Sequence, residues 1–147
     1  MDSSGDILIS VEPRHATSMM SGLKSVELRR RSINITPGTR VWIYSKLPQG
    51  QIQVLATVDK VVEDKPTNIW KTYGARSAIS KNEFDDYFAG TESSCAILFR
   101  EIIPLAPVLD LIAIRKKFSN FHPPQFFKRL SSGSPVLAYF QTALAVN

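Results

Sequence analysis

The order of elements along this chain predicts an α+β domain built on a small, partly closed mixed β-barrel flanked by helices. Three observations carry that expectation. Strand-like and helix-like segments follow one another as strand, helix, several strands, two helices, strand, helix, which is not the regular alternation of a doubly wound parallel sheet. The strand-like segments are rich in β-branched and aromatic residues and are separated by Gly and Pro. The 147 residues, 44% hydrophobic and 21% charged, suffice for one domain with a real core. No internal repeat, low-complexity tract or linker divides residues 1–147, so a single domain is expected.

Ile7-Leu8-Ile9-Ser10-Val11 is a short apolar run that reads as a buried strand. Glu12-Pro13 ends it, and Pro13 suits the first turn of a helix. His15, Ala16, Met19 and Met20 line one side of that helix, with the Met pair in the core. Gly22 suits a left-handed C-terminal cap. Next comes Ser21-Gly22-Leu23-Lys24-Ser25-Val26-Glu27-Leu28-Arg29-Arg30-Arg31. A strand buries alternate residues, so Val26 and Leu28 point one way and Glu27, Arg29 and Arg31 the other. Such a row of charges fits the wall of a polar site. A solvated face, with Glu27 and Arg29 as a structural ion pair, is the plain alternative.

Pro37-Gly38 marks a turn, and Arg40-Val41-Trp42-Ile43-Tyr44 is strongly strand-like. Pro48-Gln49-Gly50 turns the chain into a long strand over Gln51 to Val62, bent or bulged. Pro66 opens a short helix with Ile69, Trp70 and Tyr73, closed by Gly74. Ser80-Lys81-Asn82-Glu83 is a capping box, in which Ser80 accepts from the Glu83 amide and the glutamate reaches back. Phe84, Tyr87 and Phe88 recur at helical spacing behind it as core, and Gly90 stops that helix. Ser94 to Ile103 reads as a strand, after which Pro104 and Pro107 break the chain. Val108 to Lys117 reads as a short helix whose basic end complements its dipole. Phe121-His122-Pro123-Pro124-Gln125-Phe126-Phe127 is a proline-fixed aromatic segment. It either packs Phe121 and Phe126 against the barrel or sets Gln125 at the border of a cleft. Pro135 to Val146 is apolar and closes the fold as a strand or helix.

Cys95 is the one cysteine, which rules out an internal disulfide and fits a reducing cytoplasm. It lies in an apolar run and reads as a small buried hydrophobe. His15 and His122 have no second ligand at a helical or turn spacing, so neither a metal nor a cofactor is expected. His15 reads as a partly packed helix residue. No apolar run approaches the roughly 20 residues of a bilayer span, so no membrane association is expected. Met1 to Asp6 lacks the basic and apolar regions of a secretory signal, and a cytoplasmic location is expected. The net charge of +5 and pI of about 9.5 favour anionic partners. Arg14, Lys24, Arg29, Arg30 and Arg31 form one basic cluster. Arg115, Lys116 and Lys117 form a second, followed by Lys128 and Arg129.

Four segments resemble one family when taken in order: Ser10-Val11-Glu12-Pro13; Gly22-Leu23-Lys24-Ser25-Val26-Glu27-Leu28-Arg29; Gly38-Thr39-Arg40-Val41-Trp42-Ile43-Tyr44-Ser45; and the Phe121–Phe127 segment. Together with the helix after Ser80, they resemble the ASCH domain of the PUA-like superfamily over a core of about residues 7–130. The resemblance implies a small β-barrel with helices around it and a cleft lined by the motif's lysine, glutamate and arginine. It also implies an RNA-binding role. Some members are enzymes, including an N4-acetylcytidine amidohydrolase and a ribonuclease. In the amidohydrolases a threonine nucleophile stands three residues after the lysine, and here that position is Glu27. A carboxylate cannot replace an activated hydroxyl, so the same deacetylation is not expected.

The leading expectation is thus an RNA- or nucleotide-binding protein. Lys24, Arg29 and Arg31 would meet phosphate or a base edge. Glu27 would accept from an exocyclic amine or orient an arginine. Tyr44 would stack on a base if exposed, and Ser45 and Gln125 would complete the ligand site. The alternatives are a hydrolase of a modified nucleoside or of RNA, with Lys24 and Glu27 catalytic, and a protein-interaction module in transcription or translation control.

Overall fold

The computed structural model describes residues 5–145. Met1 to Ser4 of the polar N-terminal segment, and Val146 of the last apolar segment, lie outside the described residues. The strands are β1 (Asp6–Val11), β2 (Val26–Arg29), β3 (Arg40–Ser45), β4 (Gln51–Asp64), β5 (Ser94–Asp110) and β6 (Phe127–Leu130). The helices are α1 (Pro13–Met20), α2 (Pro66–Tyr73), α3 (Lys81–Tyr87), α4 (Leu111–Lys117) and α5 (Pro135–Ala145), with a 3-10 turn at Gly74–Arg76. The six strands form one curled sheet in the order β2-β5-β4-β3-β1-β6. Only β1 and β3 run parallel; the other pairs are antiparallel. This is the expected mixed α+β half-barrel.

Three apolar clusters explain the strand sequences. β1 is apolar at nearly every position because both its faces are covered. Ile7, Ile9 and Val11 join Ala16, Met19, Val41 and Ile43 inside the curl. Leu8 joins Trp42, Tyr44 and the α5 residues Leu137 and Phe140 on the other side. Val26 and Leu28 pack with Ile69, Phe84 and Phe88 of α2 and α3. Burying those two residues against the helices turns Glu27 and Arg29 to the opposite face of β2, as the period of two requires.

The structure corrects several sequence expectations. The charged strand pairs only over Val26–Arg29, and Arg30 and Arg31 follow it as irregular chain. Pro104 and Pro107 do not end β5, which continues to Asp110 opposite Gln51. β2 covers β5 only as far as Leu98, and Phe99 donates to Ser25 O just beyond. Past that point β5 has β4 on one side alone, and a proline on an unpaired edge forfeits no ladder bond. The helix expected from Val108 therefore begins only at Leu111. β6 has no strand signal in the sequence, because the exposed Lys128 and Arg129 interrupt the apolar positions Phe127 and Leu130 that anchor it. Ser80 Oγ accepts from the Glu83 amide at 3.1 Å, as the capping box predicts. The Glu83 carboxylate does not reach back, because it pairs with Arg14. The final apolar segment is a helix.

Candidate nucleic-acid interface

The site begins at the end of α1. Gly22 adopts φ +86°, the left-handed region that closes a helix at little cost only for glycine. The Leu23 amide then donates to Ser18 O at 2.9 Å and the Gly22 amide to Met19 O at 3.2 Å. The reversal leaves Leu23 outside and turns Lys24 inward, where it is 2% exposed. Lys24 Nζ donates to Ser77 O at 2.7 Å and lies 3.5 Å from Glu27 Oε1. Glu27 Oε2 is 2.8 Å from Arg29 Nη2. One carboxylate therefore joins two cations that have left water with it.

Arg29 also closes the sheet. Its Nη2 donates to Ser10 O at 3.2 Å and its Nη1 to Phe126 O at 3.4 Å, across the gap between β2 and the β1–β6 edge. Arg129 makes a second clasp, from β6 to Asn34 O at 2.6 Å. Ser10 Oγ donates to Pro124 O at 2.6 Å. The strap before β6 is thus fastened at Pro124 and at Phe126, with Gln125 between them.

Charge and burial act together on the titratable groups. Burial pushes the Glu27 carboxyl up, but Arg29, Lys24 and His15 outweigh it and hold the group below its ordinary 4.5. Burial pushes the Lys24 ammonium below its ordinary 10.5, and Glu27 offsets only part of that. His15 on α1 has a side chain 17% exposed and faces the same floor. Burial and the Lys24 charge hold its imidazole below the ordinary 6.5. Neutral His15 is therefore the prevailing form at pH 7.

Above this floor is an open cleft of about 1240 Å³. Its cations divide into two kinds. Arg14 is neutralised: Nη1 donates to Glu83 Oε1 at 2.8 Å, Nη2 meets Glu83 Oε2, and Nε donates to Glu12 Oε1 at 3.1 Å. Arg31 and Lys46 line the cleft with no carboxylate partner among the described residues. The Arg31 guanidinium carbon lies 4.7 Å from the centre of the Phe126 ring. Arg30 donates to Tyr87 O at 3.0 Å.

Lys24, Glu27, Arg29, Arg31 and Gln125 therefore line one concavity. Tyr44 and Ser45 do not. Tyr44 is 4% exposed and packs with Leu8 and Trp42, so it offers no ring to a ligand there. Strand alternation is the reason: Ile43 faces into the curl, and Tyr44 faces the layer that α5 covers. Ser45 is wholly buried between its β1 partner Val11 and its β4 partner Gln51, and its Oγ has no partner among the described residues. Sequence reasoning did not assign Phe126 or Lys46 to the site. Their signals were the residue after the fixed Pro-Pro-Gln and the first cation after β3.

A curled mixed half-barrel whose two edge strands, β2 and β6, are clasped toward each other is the fold of a PUA-like protein. The chain belongs to the ASCH domain family. An ASCH domain-containing ribonuclease of Zymomonas mobilis is 33% identical over 120 residues, spanning 82% of this chain and 80% of that protein. The crystal structure of ASCH from Zymomonas mobilis matches with a TM-score of 0.86 at 29% identity, covering 99% of this chain and 96% of that one. Residues 10–127 also match a family described as a domain of unknown function, DUF365. Human THYN1, crystallised with 5-methylcytosine-containing DNA, matches with a TM-score of 0.56 at 10% identity over 98% of this chain and 99% of that one, a likeness of fold alone.

Proposed function

We propose that this chain binds RNA in the cleft over Lys24, Glu27 and Arg29 and cleaves it. The observation that carries the reading is the division of charge. A buried trio fixes positive donors under the floor, while Arg31 and Lys46 line the cleft with no carboxylate partner among the described residues and so suit a phosphate. The ribonuclease name of a relative that spans most of both chains supports the same reaction class. In the proposed step, the ribose 2′ oxygen attacks the adjacent phosphorus, the bond to the 5′ oxygen breaks to leave a 2′,3′-cyclic phosphate, and the departing 5′ oxygen takes a proton from water in the open cleft. Neutral His15 is the group on the cleft floor suited to take the 2′ proton. Lys24 and Arg29 supply positive charge where the phosphoryl oxygens gain negative charge. Glu27 holds both cations and is not the base, because its oxygens already face Lys24 and Arg29. The amidohydrolase alternative gains nothing from this geometry. Glu27 stands at the nucleophile position, and Ser25 Oγ turns away to accept from Arg76 Nε at 2.9 Å.

The test is cleavage of an end-labelled oligoribonucleotide. Loss of a general base costs about 10²–10⁴-fold, so His15→Gln is expected to lower kcat by at least about 10²-fold with RNA affinity nearly unchanged. The base must be neutral, so the wild-type rate should fall with acidification only through the lowered pKa of His15, at a pH below the ordinary 6.5. Intact RNA after incubation with wild type removes the cleavage reading, and an unimpaired His15→Gln variant removes His15 from it.

A further inference from the structure

Phe126 is 54% exposed at the mouth of the cleft, in a protein that buries most of its large apolar side chains. Its neighbour Phe127 packs against the interior of the curl, so the chain direction at the start of β6 sends successive rings to opposite sides. The ring is not loosely held. Its own carbonyl accepts from Arg29 and the Pro124 carbonyl from Ser10, which fastens the strap on both sides of Gln125. The Arg31 guanidinium lies over the ring, and it has no carboxylate partner among the described residues. A rigid aromatic edge beside an uncommitted arginine offers a flat surface together with a cation for phosphate. The strap that carries this surface is tied directly to the buried trio, so a base seated on it would lie beside the cleft floor.

We propose that Phe126 and Arg31 form a stacking platform for one base of the bound RNA, with the phosphate of that nucleotide on Arg31 and its base edge within reach of Gln125. This deepens the RNA-binding reading and rests on it. Stacking is insensitive to salt, whereas each phosphate contact made to a single strand adds roughly 0.7 to the steepness of log affinity against log salt. The two residues therefore separate in experiment.

The experiment measures binding of a fluorescent 2′-O-methyl oligoribonucleotide, which has no free 2′ hydroxyl to react, by anisotropy from 50 to 200 mM salt. Phe126→Ala is expected to weaken binding roughly 5- to 150-fold with an unchanged salt slope. Phe126→Trp is expected to bind as wild type. Arg31→Ala is expected to weaken binding and lower the slope by about one contact. An abasic site placed at the seated nucleotide should cost wild type far more than it costs Phe126→Ala. The exposure of Phe126 makes its replacement tolerable to the fold, which far-ultraviolet circular dichroism checks. Wild-type-like binding by Phe126→Ala overturns the platform and leaves RNA binding in the cleft standing. Absence of binding by wild type at 50 mM salt overturns both.

Discussion

Glu27 shares its buried site with two cations, and that changes what its replacement tests. From sequence, Glu27→Gln looks like a clean removal of a functional carboxylate. In the structure it strips the common counter-charge from Lys24 and Arg29, both largely withdrawn from water. Removing one partner of a buried ion pair costs about 3–5 kcal/mol, because the remaining charge is left uncompensated. We expect Glu27→Gln to lower the urea unfolding free energy by about 3 kcal/mol. Equilibrium denaturation at pH 7 checks this, and a change below about 1 kcal/mol would show that the trio is hydrated. The pH dependence has a definite sign. The folded-state pKa of Glu27 lies below its ordinary 4.5, so its contribution is fully present above that pH. It is lost as pH falls through the folded value, and the glutamine variant lacks this step. Arg29 carries the same lesson: beyond any ligand contact, it ties β2 to Ser10 and to Phe126.

At the scale of elements, the turn after α1 decides where the lysine points. A Cβ added at Gly22 meets nothing within 4 Å, yet the residue sits at φ +86°. The cost of Gly22→Ala is therefore conformational, about 1 kcal/mol, with no steric clash. A corresponding fall in the denaturation midpoint at an unchanged m-value is the expected result. This glycine, the Ser80 cap and the alternation of Val26, Glu27, Leu28 and Arg29 were legible in sequence because each is a local rule. What was not legible depended on partners distant in sequence. β5 runs through two prolines because β2 stops short of them. β6 exists because Ile7 and Ile9 offer it an edge. Tyr44 leaves the site because α5 covers the face it points to. Phe126 enters the site because Arg29 and Ser10 fasten its strap.

For the molecule as a whole, the net charge of +5 matters less than how it is compensated. Arg14 and the buried trio are paired within the protein, and the α4 cations complete a helix end. The cleft rim keeps Arg31 and Lys46 available, which is what counterion release requires of a phosphate-binding surface. Photocrosslinking with mass-spectrometric mapping tests directly whether RNA lies there. The probe is a 2′-O-methyl oligoribonucleotide carrying 4-thiouridine, bound to the wild-type protein. Adducts on His15, on residues 30–32 and on Gln125 and Phe126 are the predicted result. Adducts confined to α4 around Arg115–Lys117, with the cleft residues unmodified, would contradict the account.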